Sequence, residues 1–326
     1  MSGGKLLRPG ILIVLLAIAV YCALVFAAEA EALSASLKSI GTVLLLVLLA
    51  ISSSNFLFRY IRWHHYLAKV GIRVAPFESL IVFLSGFSMT LTPAKAGEIL
   101  KSLMLKRTHG VAITYSAPII LAERVSDLCG LMLLIGLGAL ALPYGGVILA
   151  MIVVGVALIA WICASDLVAR FVLRLLERVP LVGKAVPTLE RLVPTLATLS
   201  QPRTFAYGLV LALLAWGMQC LTLYIAANNI LAAPISVEEG LLIYAAPLVA
   251  GNLASLPGGL GVSEGSMTGM LVHFGGQGTS IGEAAAITLI VRALSLWWGL
   301  LVGYIGLIYW RIRFAGGPAA NGETTG

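Results

Sequence analysis

Long apolar runs, separated by short polar breaks, set the pattern of this chain. Candidate spans lie at Ile11–Ala28, Ile40–Phe58, Ala112–Leu142, Val147–Cys163, Phe205–Ala227 and Ile281–Trp310. Each is close to or above the roughly 18 apolar residues that let a helix cross a bilayer. Two further apolar stretches, Ser79–Arg107 and Gly240–Phe274, are interrupted. The first contains Thr92-Pro93 and Gly97, the second Leu256-Pro257-Gly258-Gly259-Leu260-Gly261. Proline removes a helix donor and clashes with the preceding turn, so neither stretch is expected to be one helix. Each is either a re-entrant hairpin of two half-helices or a pair of short spans. The pattern predicts an all-α polytopic membrane protein of six full spans plus two broken hairpins, or eight spans.

Composition agrees. Hydrophobic residues make up 60% of the chain and charged residues 11%, with a mean hydropathy of +1.02. A soluble domain is about half apolar and about a quarter charged. Residues 1–315 read as one integral membrane domain, and the Gly- and Thr-rich tail 316–326 as disordered. Within 165–204, Leu167, Phe171, Leu175 and later Leu189, Leu192, Leu196 recur at helical steps between cations. That insertion is either amphipathic helices on the inner leaflet or a cytoplasmic helical hairpin.

The formal charge of +7 would invite nucleic acid to a soluble surface; here it is the placement of the cations that matters, and no nucleic-acid partner is expected. With the N-terminus inside, Lys5 and Arg8, Arg59–Arg73, Lys101–Arg107, Arg170–Arg203, Arg311 and Arg313 all fall on one side. Lys38 falls on the other, where Glu29, Glu31, Glu238 and Glu239 also lie. The positive-inside rule then places both termini in the cytoplasm and the protein in the cytoplasmic (inner) membrane. Ala28-Glu29-Ala30 resembles a signal-peptidase site. The run before it exceeds the ~7–15 residues of a signal core, so a retained first helix is expected. The basic, aromatic patch Arg59–Lys69, with His64 and His65, is expected at the inner interface in contact with anionic lipid.

The two interrupted stretches resemble each other. One reads Gly86…Pro93-x-x-x-Gly97-Glu98 and the other Gly251…Pro257-x-x-x-Gly261-x-x-Glu264, and each precedes an apolar helix with a single arginine, Arg124 or Arg292. The assumed topology makes one hairpin enter from the cytoplasm and the other from outside. Interrupted segments at matching places in inverted halves point to a transporter site near the midplane. Thr92 and Pro93 make a helix start, with Thr92 as cap. Lys95 would then oppose the helix dipole unless an anion sat at that terminus. Ser263 is expected to cap a second half-helix beginning at Glu264, with Gly258, Gly259 and Gly261 allowing close backbone approach.

Lys95, Arg124 and Arg292 thus lie at membrane depth, with Glu98, Glu123, Asp127 and Glu264 as acidic company. Such groups cost about 2.5–3.5 kcal/mol each on insertion scales and mark function by default. The alternative is an ion cluster that holds helices together, and for Glu123 and Asp127 the two readings stay open. The candidate headgroup-binding set is Lys95, Glu98, Lys101, Arg124, Asp127, Glu264 and Arg292. Glu123 is a support, and Thr92, Pro93, Gly97, Pro257, Gly258, Gly259 and Gly261 are tip or hinge positions. The four cysteines are scattered in apolar segments, with no disulfide or metal spacing. No Walker A stretch or Ser–His–Asp order appears, so no metal and no cofactor are expected.

PAKAGEILKSLMLKR, AERVSDL and LPGGLGVSEG together resemble the lysylphosphatidylglycerol synthase transmembrane-region family, over roughly Leu12 to Arg313. These are flippase-like proteins related to the membrane domain of multiple peptide resistance factors. The resemblance implies movement of a phospholipid, glycolipid or related anionic lipid between leaflets, and points by position to the same Pro, Gly, Lys, Glu, Arg and Asp residues. Nothing up to Gly326 resembles an aminoacyl-transferase domain, so lysyl transfer is not expected. Movement would be passive or coupled to protons through Glu98, Glu264 or Asp127. Two other readings are a lipid- or polyprenyl-phosphate transferase and a scaffold for a separate lipid-modifying enzyme.

Overall fold

A computed structural model of the chain describes residues 30–92, 98–165, 168, 192–254 and 256–314. The expected span Ile11–Ala28, most of the insertion at 165–204, the tail from 316, and Pro93, Lys95 and Gly97 lie outside them. Among the described residues the regular structure is entirely helical. In chain order the helices are α1 (Ala30–Lys69), α2 (Pro76–Ser85), α3 (Leu100–His109), α4 (Ile113–Gly138), α5 (Gly145–Ala164), α6 (Val193–Leu199), α7 (Pro202–Ile230), α8 (Val237–Leu253), α9 (Val262–Phe274), α10 (Ile281–Arg292) and α11 (Trp298–Phe314). The expected all-α architecture is the one observed.

Among the described residues four segments are long and apolar enough to cross a membrane: Glu31–Lys69 in α1, α5, α7, and the combined α10–α11 segment Ile281–Phe314. Helix α4 matches their length at 26 residues, but Glu123, Arg124 and Asp127 interrupt its apolar run. Helix α5 buries only Gly145 and Val156 and turns Val147, Met151 and Val154 outward. A helix that is apolar all round, at the edge of a bundle, faces lipid.

Helix α1 corrects the expected boundaries at both ends. Residues 30–40, expected in an outer loop, are helical, and a kink at Gly41 (φ 65°, ψ 165°) joins them to the rest. That left-handed φ suits glycine. At the other end the span was expected to stop at Phe58, with Arg59–Lys69 in an interfacial patch. The helix instead continues to Lys69, because Trp63, Tyr66 and Leu67 are buried against the bundle. Ser52, Asn55, Arg59 and Arg62, at three- and four-residue steps, share one buried side of α1.

Both interrupted stretches are broken as expected. Helix α2 ends in a 3₁₀ turn at Gly86–Met89 before the chain returns through α3. Helix α8 is followed by the Pro257–Gly259 turn and then α9, which packs back on α8. The helix that follows each hairpin packs on the other hairpin. Helix α11 lies along α2 and its 3₁₀ turn, and α4 lies along α8. Small residues permit this approach. A Cβ on Gly303 of α11 would sit 2.2 Å from the Ser88 nitrogen, and one on Gly138 of α4 would sit 2.6 Å from the Leu242 nitrogen. The hairpin tips also meet: Leu91 packs with Leu260 and Leu296.

Two large apolar cores result among the described residues. One gathers Leu48, Leu131, Trp216, Leu223, Ile243 and Ile287. The other gathers Trp63, Phe83, Phe87, Met104, Ile119 and Trp310. Arg59 stands where they meet, its guanidinium 4.9 Å from the Phe87 ring centre and 5.6 Å from that of Trp216. Charged residues therefore occupy the seam between two greasy cores.

Candidate functional site

Glu98, just before α3, reaches across to α4, and its Oε2 lies 2.9 Å from Nη2 of Arg124. Arg124 also meets Asp127, one turn further along α4, at 3.3 Å. Asp127 in turn receives two arginines from α1. Its Oδ1 is 2.6 Å from Arg62, and its Oδ2 is 3.7 Å from Arg59. Arg62 donates as well to the Ser126 hydroxyl at 3.1 Å. Glu98, Arg124, Asp127, Arg62 and Arg59 form one chain of alternating charge drawn from three parts of the sequence.

In the second half Arg292, the last residue of α10, donates through Nε to Glu264 at 2.7 Å and through Nη2 to the Gly258 carbonyl at 3.0 Å. Glu264 also accepts from the Gly261 backbone N–H at 2.7 Å. That bond caps the start of α9, which begins at Val262 after Gly261. The expected cap Ser263 is instead inside the first turn, buried, with its hydroxyl unbonded among the described residues. Gly258 and Gly261 have φ of 63° and 85°, the left-handed region that glycine enters without steric cost. A π-helical turn at Ala293–Trp297 follows Arg292. Within it the Leu294 carbonyl accepts from the Ser52 hydroxyl at 2.7 Å.

Lys101 and Glu123 form a separate pair at 2.5 Å. The Lys101 ammonium lies over the Trp63 ring, 4.3 Å from its centre, with Phe83 nearby. Both residues are sealed inside the second core. Thr92 closes the turn behind it, donating to the Met89 carbonyl at 2.7 Å. Of the headgroup set read from sequence, the fold thus gathers Glu98, Arg124 and Asp127 in one cluster and Glu264 with Arg292 in another. Lys101 stands apart with Glu123.

Two neighbouring cavities join these clusters. The smaller, of about 80 Å³, is lined by Asn55, Arg59, Thr90, Glu98, Gln219 and Arg292 among others. The larger, of about 250 Å³, is lined by Arg124, Asp127, Leu128, Leu131, Leu253 and Leu256. Trp216, Asn252 and Gly258 belong to both walls. The rim of the larger cavity is apolar and faces outward: Leu128, Leu253 and Leu256 are 40%, 76% and 37% exposed. A charged interior with an apolar rim is the shape an amphiphile requires.

The contact of Arg59 and Arg62 with anionic lipid, expected from the sequence, is the main correction. Their side chains are buried and paired with Asp127, because a buried carboxylate recruits cations that would otherwise be solvated. The signal was present in the 52/55/59/62 polar spacing of α1. Asn55, Gln219 and Asn252 were not singled out, since a lone amide in an apolar helix has no periodic signature.

Comparison with known proteins places this arrangement. The family described as "Lysylphosphatidylglycerol synthase TM region" matches residues 12–303, which takes in both hairpins and every charged residue of the two clusters. The chain belongs to that family. It is also similar to a UPF0104 membrane protein of Methanothermobacter thermautotrophicus, with 28% identity over 253 residues, 70% of this chain and 74% of that protein. The family is a transmembrane region related by name to lipid metabolism, and this member is a membrane protein.

Proposed function

We propose that this member of the lysylphosphatidylglycerol synthase transmembrane-region family is a lipid transporter. It carries a phospholipid or related anionic lipid between leaflets of the cytoplasmic membrane, performs no covalent chemistry, and keeps both termini in the cytoplasm. The observation that carries the reading is the pair of arginine-lined cavities between the hairpin tips, with a rim of exposed leucines. Guanidinium groups match phosphate oxygens in geometry and charge. Exposed leucines suit acyl chains, so a lipid can keep its tails in the bilayer while its headgroup occupies the interior. Glu98 and Glu264 sit at corresponding places in the two hairpins, each tied to the arginine of the following helix. Two hairpins clamped in parallel fashion fit a site reached alternately from either side.

Lys95, outside the described residues, belongs to the proposed headgroup set, and a separate lipid-modifying enzyme is the proposed macromolecular partner. Leaflet exchange of fluorescent phospholipids in proteoliposomes tests the reading. Exchange should exceed that of empty vesicles and fall in folded Arg124→Ala and Glu98→Ala proteins. Exchange at the empty-vesicle rate across anionic and zwitterionic lipids would sink it.

A further inference from the structure

The π-helical turn between α10 and α11 sits directly behind Arg292, and two of its residues, Ser295 and Leu296, line the smaller cavity with that arginine. In an α-helix the Trp298 N–H would donate to the Leu294 carbonyl, four residues back. Here it is shared between the carbonyls of Ala293 and Ser295, so the Leu294 carbonyl loses that donor. The Ser52 hydroxyl of α1 supplies another at 2.7 Å. Turns of this kind are rare and collect at functional sites.

Ser52 has a second acceptor. The Gln219 carboxamide oxygen of α7 lies 3.1 Å from the same hydroxyl, while its nitrogen donates to the Ser52 carbonyl at 3.2 Å. A serine hydroxyl carries one hydrogen, so it serves Leu294 or Gln219 at any moment and never both. Turning the amide over gives no relief, because it sets the carbonyl oxygens of Gln219 and Ser52 against each other. Ser52 is fully buried and Gln219 nearly so, and an acceptor left without a donor at such burial is costly.

The two choices correspond to two shapes of the backbone. With the hydrogen on Leu294 the turn keeps its extra residue. With the hydrogen on Gln219 the Leu294 carbonyl needs the Trp298 N–H again, and the turn tightens to an α-helix. One residue is about 100° of helix rotation. The change therefore swings α10 against α11 and draws Arg292 away from Glu264 and Gly258, its present partners.

Gln219 also lines the smaller cavity, which lets an occupant decide between the two shapes. A headgroup hydroxyl or amine that donates to Gln219 satisfies its oxygen and leaves the Ser52 hydrogen on Leu294. A headgroup without a donor does not.

We infer that Ser52 and Gln219 are positioning residues of the site. Gln219 takes a hydrogen bond from a donor-bearing headgroup, and Ser52 relays its presence to the π-turn that holds Arg292 in place. The relay rests on the lipid-transport reading and adds to it the hydrogen-bond donor that the headgroup must bring.

Two anionic lipids of equal charge and equal chains test it: phosphatidylglycerol, whose headgroup has hydroxyls, and phosphatidylmethanol, whose headgroup has none. Native mass spectrometry reads their binding to the full chain in detergent, and hydrogen–deuterium exchange reads the peptides that span Ala293–Trp297. Phosphatidylglycerol should bind about fivefold more tightly, the scale of one buried hydrogen bond. At saturation it should slow exchange in the turn, and saturating phosphatidylmethanol should not. Ser52→Ala should still bind phosphatidylglycerol but lose the slowing, and Gln219→Leu should lose the preference as well. Melting curves confirm that the variants are folded, and if Gln219→Leu is not, Ser52→Ala decides alone. Equal binding of the two lipids, or slowing that survives in Ser52→Ala, overturns the inference. Slowing by the water-soluble diester glycerophosphoglycerol as strong as that by the lipid keeps the relay and sinks the lipid reading. Preference and slowing without leaflet exchange sink the transport reading alone.

Discussion

Glu264 and Arg292 are joined at 2.7 Å, and the first half holds the matching pair, Glu98 and Arg124, at 2.9 Å. In each half a glutamate in the hairpin is tied to the arginine of the following helix. The separations, 26 and 28 residues, were visible in the chain as a repeat, and the contacts turn that repeat into geometry. The two pairs differ in exposure. Arg292 and Glu264 are 3% and 1% exposed at their side chains, against 25% and 10% for Arg124 and Glu98.

That difference has an energetic consequence. Glu264→Gln leaves Arg292 charged and enclosed, and breaking a buried pair from one side costs about 3–5 kcal/mol. Glu98→Gln leaves Arg124 with Asp127 and partial exposure, so the loss should be nearer the ~1 kcal/mol of an open pair. Thermal unfolding in detergent should rank Glu264→Gln well below Glu98→Gln. The reverse order would contradict the assignment of the inner pair as the tighter clamp.

Asp127 and Arg59 should behave oppositely. Asp127→Asn removes the one carboxylate shared by Arg59, Arg62 and Arg124 and leaves like charges crowded together, so a large drop in melting temperature is expected. Arg59→Gln relieves the crowding of three arginines around Asp127 and should leave the melting temperature equal or higher. If Arg59→Gln melts as low as Asp127→Asn, Arg59 is part of the structural glue.

Lys101 and Glu123 line neither cavity. Lys101→Met alone strands the Glu123 carboxylate in an apolar core and should destabilise strongly. The double change Lys101→Met and Glu123→Leu should recover most of the loss, since a buried pair exchanged for apolar residues is often near neutral. Leaflet exchange by the folded double variant should match that of the parent protein. A changed rate would bring this pair back into the binding site.

The leucine rim is the cheapest part of the site to alter. Leu253 is 76% exposed, so Leu253→Ser should leave the melting temperature within about a degree while slowing leaflet exchange. Surface changes away from core features typically stay within ~0.5 kcal/mol. Unaltered exchange for Leu253→Ser would argue against lipid passing this rim.

By itself the sequence determined the class of protein and the places where helices must break. Long apolar runs have one stable backbone solution in a bilayer, a closed set of helices. Pro257 with its glycines marks where that solution fails locally, whereas the kink at Gly41 came with no warning from its surroundings in the sequence. The repeat of Glu98 and Glu264 against Arg124 and Arg292 was legible because a fixed separation survives in one dimension. Tertiary structure alone decided which charges share a space. Arg59 and Arg62 look in sequence like the basic end of a span, since their residue type is what an inner interface also uses. They turn inward because Asp127, 65 residues beyond Arg62 along the chain, arrives opposite them when α4 packs beside α1. Lys101 likewise leaves the site because Glu123 and Trp63 enclose it. Burial and charge pairing depend on what stands across the bundle, and no local pattern along the chain records it.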